Sequence, residues 1–322
     1  MTIDITKFNS CRILVVGDLM IDEYVWGTVD RISPEAPVQI VSVDREDYTL
    51  GGAGNVVNNL AALGAEVSVA GVIGTGTDGD RVLEKVELLN ADTAGIIREP
   101  KRPTTRKTRI IAANQHVLRI DRETGRDISK TTFNALKSFV SRKIPETDVV
   151  LISDYGKGLI TIPFIRYILN TAKKYGKLTI ADPKGLDFSK YSGVSLLTPN
   201  QKEAGLASGI EIKDKTGIIK AGNKLLKTTG IKNLLITCGQ NGMILFEQGH
   251  EPHTIKAEAR QVFDVSGAGD TVLSVFGLSI ASGFLFKEAA ALANTAAGIV
   301  VGKLGTATVS QKELLSALKR FS

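Results

Sequence analysis

The chain has 322 residues, 40 Lys and Arg against 34 Asp and Glu, a net charge of +6 and 43% hydrophobic residues. That make-up fits a globular protein long enough to bury a large core, and it lacks the Lys/Arg block interleaved with aromatics that a nucleic-acid surface requires. No apolar run reaches the ~18 residues of a membrane span, Met1 to Ser10 lacks the basic and apolar regions of a signal peptide, and Cys11 and Cys238 both sit in apolar runs, so buried thiols and a cytoplasmic location are expected.

In chain order, Cys11 to Gly17 is a β-branched apolar run that predicts a buried strand. Tyr24 to Trp26, Val38 to Val43, Lys107 to Ala113 and Val117 to Ile120 predict shorter strands with partial alternation. They flank Gly51 to Gly64, where a glycine-rich loop turns into a helix. Glu66 to Ile73 predicts another buried strand, and Asp78 to Asn90 a helix. From Thr131 the pattern repeats: helix Thr131 to Arg142, strand Val149 to Ser153, helix Ile162 to Tyr175, strand Leu178 to Ala181. A short strand at Leu196 to Thr198, a helix at Thr216 to Thr229 and strands at Leu234 to Thr237 and Met243 to Glu247 follow. Val272 to Phe284, Phe286 to Leu304 and Gln311 to Lys319 read as helical. This alternation argues for an α/β fold, a mostly parallel sheet covered on both faces. The extra strands, from about residues 22–48 and 105–121, predict a small β lid over the sheet's C-terminal edge, where α/β proteins bind ligands. No linker or internal repeat interrupts the chain, so one domain over 1–322 is expected.

The most informative stretch is Asp264 to Thr271, DVSGAGDT. Small residues Gly267, Ala268 and Gly269 ahead of a long apolar helix let backbone N–H groups converge on an anion. Asp270 at that anion site would repel a phosphate unless it served it, for example by taking a proton from an attacking hydroxyl. An ordinary helix cap is the alternative. Asp18 and Asp22, after the first strand, are placed to hold sugar hydroxyls, or else to form a turn and a cap. Gly51, Gly52, Gly54 and Asn55 open a helix, and the double glycine permits close approach of a polyol. Asn200 and Glu203 form an N-x-x-E pair that can orient magnesium-bound waters, or simply start a helix. Thr237, Gly239 and Gly242 lie between two strands, as a phosphate-cradling loop or a hairpin turn.

Two other nucleotide motifs fare worse. The Walker pattern is absent, since the Gly-Lys pairs are followed by Gly158, Leu178 and Leu304. A G-x-G-x-x-G run occurs at Gly74 to Gly79, but not after the first strand, and a tight strand-to-helix turn is the simpler reading. The three histidines have no metal-ligand spacing.

Gly51 to Gly64 and Asp264 to Thr271, with the N-x-x-E between them and the T-x-G-x-x-G of 237–242, resemble the two signatures of the ribokinase-like (phosphofructokinase B) carbohydrate kinases along essentially the whole chain. GDLMIDEYVWGTVDRISPEAPV, PTTRKTRIIAANQHVLRID, SDYGKG, ADPKG, LTPNQKE and GTATVS further resemble the heptose 7-phosphate kinase branch. The resemblance implies a ribokinase-like three-layer sandwich with a β lid that often forms a dimer interface, and ATP with Mg²⁺ as phosphoryl donor; it leaves a monovalent-cation requirement open. It implies Asp270 as catalytic base, Gly267, Ala268 and Gly269 as anion hole, and Asn200 and Glu203 on Mg²⁺ through waters, with no direct protein ligand. Thr237, Gly239, Gly242 and Asn294 would contact the nucleotide, and Asp22 and Asn55, with Asp18 and Gly52 beside them, the sugar. The implied acceptor is a phosphosugar, whose phosphate needs cations: Lys107, Arg109, Arg119, Lys157 and Lys184 are the candidates. Val265-Ser266 departs from the Thr-Thr common in the family. Many relatives are fused to a nucleotidyltransferase with a His-x-Gly-His motif; these 322 residues contain none, so that activity is not expected of them.

Overall fold

Strand β1 (Arg12–Gly17) sits inside a sheet ordered β13-β12-β11-β10-β9-β8-β1-β4-β5. The other members are β4 (Glu66–Ile73), β5 (Asp92–Arg98), β8 (Val149–Ser153), β9 (Leu178–Asp182), β10 (Leu196–Leu197), β11 (Asn233–Thr237), β12 (Met243–Glu247) and β13 (His253–Ile255). Every pairing is parallel except those of β12 with β11 and β13. The coordinates are a computed structural model describing residues 5–113, 115–257 and 263–319. Met1 to Asp4 of the N-terminal stretch and Asn114 of the expected lid lie outside the described residues.

The sheet is buried on both faces because its central strands alternate between two cores. Ile13 and Val15 of β1 pack with Val149 and Leu151 of β8 on one side. Leu14, Val16, Val150 and Ile152 face the other. The first core is closed by α1 (Ala53–Ala62), α2 (Thr77–Glu87), α7 (Ala268–Ala281), α8 (Phe286–Val300) and α9 (Gln311–Leu318). The second is closed by α3 (Lys130–Glu146), α4 (Ile162–Lys174), α5 (Gln201–Ser208) and α6 (Lys215–Thr229). These are the three layers that the strand–helix alternation predicts. Truncating a side chain such as Leu14 to Ala would cost about 2–5 kcal/mol.

A second sheet, ordered β3-β2-β6-β7, is the expected lid: β2 (Leu19–Ile32), β3 (Gln39–Gly52), β6 (Thr105–Ala112) and β7 (Gln115–Arg122). Its strands are longer than the sequence suggests. The outer half of β2, half of β3 and all of β7 are largely exposed and rich in charge, which hides the alternation. Gly51 and Gly52, read as loop, end β3, and α1 begins at Ala53. Strands β5 and β13 were not anticipated; both lie at sheet edges, and Gly95 interrupts the β5 pattern. The last long helix stops at Val300, not Leu304, and turns follow.

Candidate active site

The candidate residues gather beyond the C-terminal ends of the parallel strands, the ligand edge of an open α/β sheet. Asp18 follows β1, Tyr155 follows β8, Asp182 ends β9, Asn200 follows β10 and Thr237 ends β11. Helix α7 points its N-terminus at this edge. From Asp270 to Ile280 every residue of α7 is buried, which its all-round apolar sequence requires.

Gly267 is the N-cap of α7, with φ +77°. A Cβ there would lie 2.5 Å from Asn55 Nδ2, so the glycine satisfies both the left-handed backbone and a close approach to α1. Asp264 fixes the turn before it: Oδ1 accepts from the Ser266 amide at 2.9 Å and Oδ2 from the Gly305 amide at 3.0 Å. The first turn of α7, Ala268 to Asp270, then presents N–H groups that lack intrahelical acceptors. A helix end of this kind suits an anion; the Ala268 amide already donates to the Val265 carbonyl at 3.3 Å.

Asp270, 3% exposed, is held from two sides. Asn55 Nδ2 donates to Oδ2 and Tyr155 Oη donates to Oδ1, each at 2.8 Å. Burial pushes the Asp270 carboxyl up to about 6, and the bonds from Asn55 and Tyr155 pull the other way. Burial and the Asp270 charge hold the Tyr155 phenol well above its ordinary value, so it remains a donor. Helices α1 and α7 are further joined by Thr271 Oγ1 donating to Asn59 Oδ1 at 3.1 Å, with Asn59 Nδ2 on the Asn55 carbonyl at 2.9 Å.

Asp18 is committed to backbone. Its Oδ2 accepts from the Tyr155 amide at 2.8 Å and the Lys157 amide at 3.1 Å, holding the 155–157 loop. Burial and then Asp154 push its carboxyl up to about 6. Asp22 on β2 forms an ion pair with Arg109 on β6. Gly51 packs against the Asp22 carboxylate, and Gly52, at φ +54°, against the Asp18 carbonyl; neither site leaves room for a side chain.

Four of the five expected cations lie on the lid side of the site: Arg109 pairs with Asp22, and Lys157 and Arg119 lie within electrostatic range of Lys107. Lys107 and Arg109 alternate along β6, with Arg119 opposite Arg109 on β7. Lys107 Nζ lies 5.0 Å above the Tyr155 ring, and burial lowers its pKa. Among the described residues it has no ion-pair partner within 4 Å. Arg119 is exposed and forked onto Asp121 at 2.9 Å, and Lys157 pairs with Glu123 at 2.7 Å. Lys184 is placed elsewhere: it pairs with Glu203 at 2.9 Å, on the N-x-x-E side, because the loop after β9 lies against the start of α5.

Asn200 and Glu203 form the capping box of α5. The Glu203 amide donates to Asn200 Oδ1 at 2.9 Å, and the Asn200 amide to Glu203 Oε2 at 3.1 Å. Half-buried Asp182 lies close by. Burial, then Glu203 and Asp270, hold its carboxyl well above the ordinary value. This all-oxygen, mutually repelling donor set fits a hard cation such as Mg²⁺, which keeps waters and takes one or two carboxylates. Among the described residues no group of three or more ligating side chains surrounds a common point.

Thr237, Gly239 and Gly242 belong to the β11–β12 hairpin, with a 3-10 turn over Gly239–Asn241. Thr237 bridges to Asn200, which brings hairpin and capping box together. Asn294 on α8 donates to the Lys256 carbonyl at 2.9 Å and is nearly buried. Gly74 and Gly79 pack against backbone of the protein itself, Gly74 against the Arg102 carbonyl and Gly79 against Gly74, so their spacing serves a tight turn. Tyr155 and Asp182 were missed by the sequence reading. Both stand in segments singled out there, SDYGKG and ADPKG, at the ends of predicted strands, the one signal that could have found them.

The model of the pfkB family carbohydrate kinases matches residues 11–313. The chain is 57% identical over 316 residues to "Bifunctional protein HldE" of Desulfatibacillum aliphaticivorans, covering 98% of this chain and 65% of that protein. It is 47% identical over 305 residues to the same-named protein of Geobacter sulfurreducens, covering 95% and 62%. The chain thus spans less than two thirds of the curated relatives it matches. Arabidopsis thaliana ribokinase, solved with ribose and ATP, superposes with TM-score 0.77 at 21% identity, covering 96% of this chain and 99% of that one. Escherichia coli phosphofructokinase-2, solved with potassium, gives TM-score 0.79 at 17% identity over the same shares. At such identities these two show a shared fold. The chain belongs to the pfkB family of carbohydrate kinases.

Proposed function

We propose that the chain transfers the γ-phosphoryl group of ATP to the anomeric 1-hydroxyl of D-glycero-β-D-manno-heptose 7-phosphate, giving the 1,7-bisphosphate on the way to ADP-heptose for lipopolysaccharide. The observation that carries this reading is Asp270, buried at the anion-binding end of α7 and held between Asn55 and Tyr155. Above neutral pH it is a carboxylate with a pKa near the working range, as a general base requires.

In the reaction, Asp270 accepts the proton of the 1-hydroxyl as that oxygen bonds to the γ-phosphorus. The bond from the γ-phosphorus to the β–γ bridging oxygen breaks, and ADP leaves with that electron pair. Gly267, Ala268 and Gly269 supply N–H groups to the equatorial oxygens. Asp22 and Asn55 orient the sugar, with Asp18 and Gly52 shaping the wall beside them. Thr237, Gly239, Gly242 and Asn294 line the nucleotide side. Asn200 and Glu203, with Asp182 beside them, would hold Mg²⁺ through its waters, and the ion bound with ATP would screen the phosphate charges. Lys107, which forms no ion pair within 4 Å among the described residues, and Arg109 are the leading ligands for the sugar's own phosphate, with Lys157 and Arg119 behind them. Lys184 belongs with the Glu203 side. Closure of the lid excludes water and limits futile hydrolysis.

The HldE relatives and the heptose-like segments on both sides of the site support the choice of sugar. The lid also leaves Ile32, Val38, Val43, Leu118 and Ile120 exposed, a surface suited to a second copy of the chain; sedimentation of the protein against a charged variant of Leu118 tests that. Among the described residues no helix is long and apolar enough to cross a membrane. The substrate is tested by ADP release on a panel of phosphosugars. The heptose 7-phosphate should give the highest kcat/KM; a higher value with fructose 1-phosphate would replace the assignment.

A further inference from the structure

Tyr155 has three ties, each to a different part of the site. Its amide donates to Asp18 Oδ2 at 2.8 Å, so the buried carboxylate after β1 sets the position of its backbone. Its ring carries Lys107 Nζ 5.0 Å from the centroid, a contact with lid strand β6. Its hydroxyl donates to Asp270 Oδ1 at 2.8 Å. Because Asn55 engages Oδ2, the carboxylate is clamped in one rotamer, and each oxygen retains lone-pair capacity for an incoming proton.

From this geometry we infer that Tyr155 is a positioning residue for the Asp270 base, its hydroxyl orienting the carboxylate and favouring the ionised form, while its ring registers the lid through Lys107. The inference rests on the reading of Asp270 as the base. A phenol that stays protonated gives a hydrogen bond to the carboxylate that is stronger than to the neutral acid. Among the described residues, the other charged groups facing Asp270 are Asp22 from β2, Lys107 from β6 and Asp182 from β9. All three remain in Tyr155→Phe, which keeps the ring, the Lys107 contact and the amide bond to Asp18.

The deciding experiment needs no substrate. Thermal stability of the wild type and Tyr155→Phe is compared from about pH 5 to about pH 8, in the native background and with Asp270→Asn. The gap between Tyr and Phe should widen by about 2 °C or more as Asp270 ionises, and stay flat in the Asp270→Asn background. A gap constant with pH in the native background overturns the inference, since a purely packing role gives that result. In turnover, the acid limb of kcat/KM should move up by about one pH unit in Tyr155→Phe, with KM for ATP little changed. An unmoved limb likewise overturns it. If no phosphosugar gives ADP release, the proposed reaction fails, and the stability comparison still decides the role of Tyr155.

Discussion

Asn55, near the start of α1, donates to Asp270, near the start of α7, at 2.8 Å across 215 residues of chain. Both side chains are buried, and Asn55 is 0% exposed. Two helix ends are thereby locked face to face around a carboxylate. Replacing Asn55 by Asp would set a second carboxylate against the first. Like charges at that distance cannot both ionise at neutral pH, so the acid limb of the rate profile should move up by more than one unit. A pH–rate profile of Asn55→Asp showing an unshifted limb would contradict the contact's electrostatic role.

The same burial makes Asp270 a cost to the fold. Its pKa near 6 exceeds the ordinary 3.8, so the folded protein keeps a proton that the unfolded chain releases between these values. Stability therefore falls as pH rises through that window. Asp270→Asn should be more stable than the wild type at pH 7.5 by about 1–3 kcal/mol, with the gap closing towards pH 4. Urea denaturation at the two pH values checks both the size and the sign. Loss of stability in the variant at neutral pH would show that Asn55 and Tyr155 outweigh desolvation.

Gly267 and Gly269 stand two residues apart and should respond differently to Ala. At Gly267 the backbone is left-handed and a Cβ meets Asn55 Nδ2; at Gly269 no atom outside the neighbouring backbone lies within 4 Å of the added Cβ. Gly267→Ala should lose about 1–3 kcal/mol and most activity. Gly269→Ala should melt within a few degrees of the wild type. Calorimetry of the two variants distinguishes them.

The basic residues divide into two groups. Lys107→Ala and Arg109→Ala should raise KM for the phosphosugar about tenfold or more, with a small effect on KM for ATP. Lys184→Ala, which releases Glu203, should do the reverse. Steady-state kinetics with each substrate varied in turn reads this split. An equal effect on both substrates from all three would indicate loss of folded protein instead.

The buried strands were legible because they are buried. In β1, β8 and β12 both faces are covered, so continuous apolar runs mark them to within a residue. The lid strands, edge strand β5 and short β13 lack that signature, since exposed residues and glycine dilute it. At the site, local chemistry singled out the GAGD turn, and the family resemblance singled out Asn55. The Tyr155 bond to Asp270 was not legible, because it joins the loop after β8 to the start of α7, 115 residues apart. Nor was the pairing of Lys184 with Glu203, which depends on how the loop after β9 meets α5. Asp18 looked like a sugar ligand from its place after a strand, and its bonds to the Tyr155 and Lys157 amides emerge only in the fold.

The central claim is that Asp270 removes the proton from a phosphosugar hydroxyl. It is tested most directly by ADP release with ATP and the heptose 7-phosphate, measured side by side for the wild type and Asp270→Asn, with ATP affinity of both from calorimetry. Turnover should fall by about 10²-fold or more in the variant while ATP affinity stays within a few-fold. Near wild-type turnover in Asp270→Asn would contradict the account.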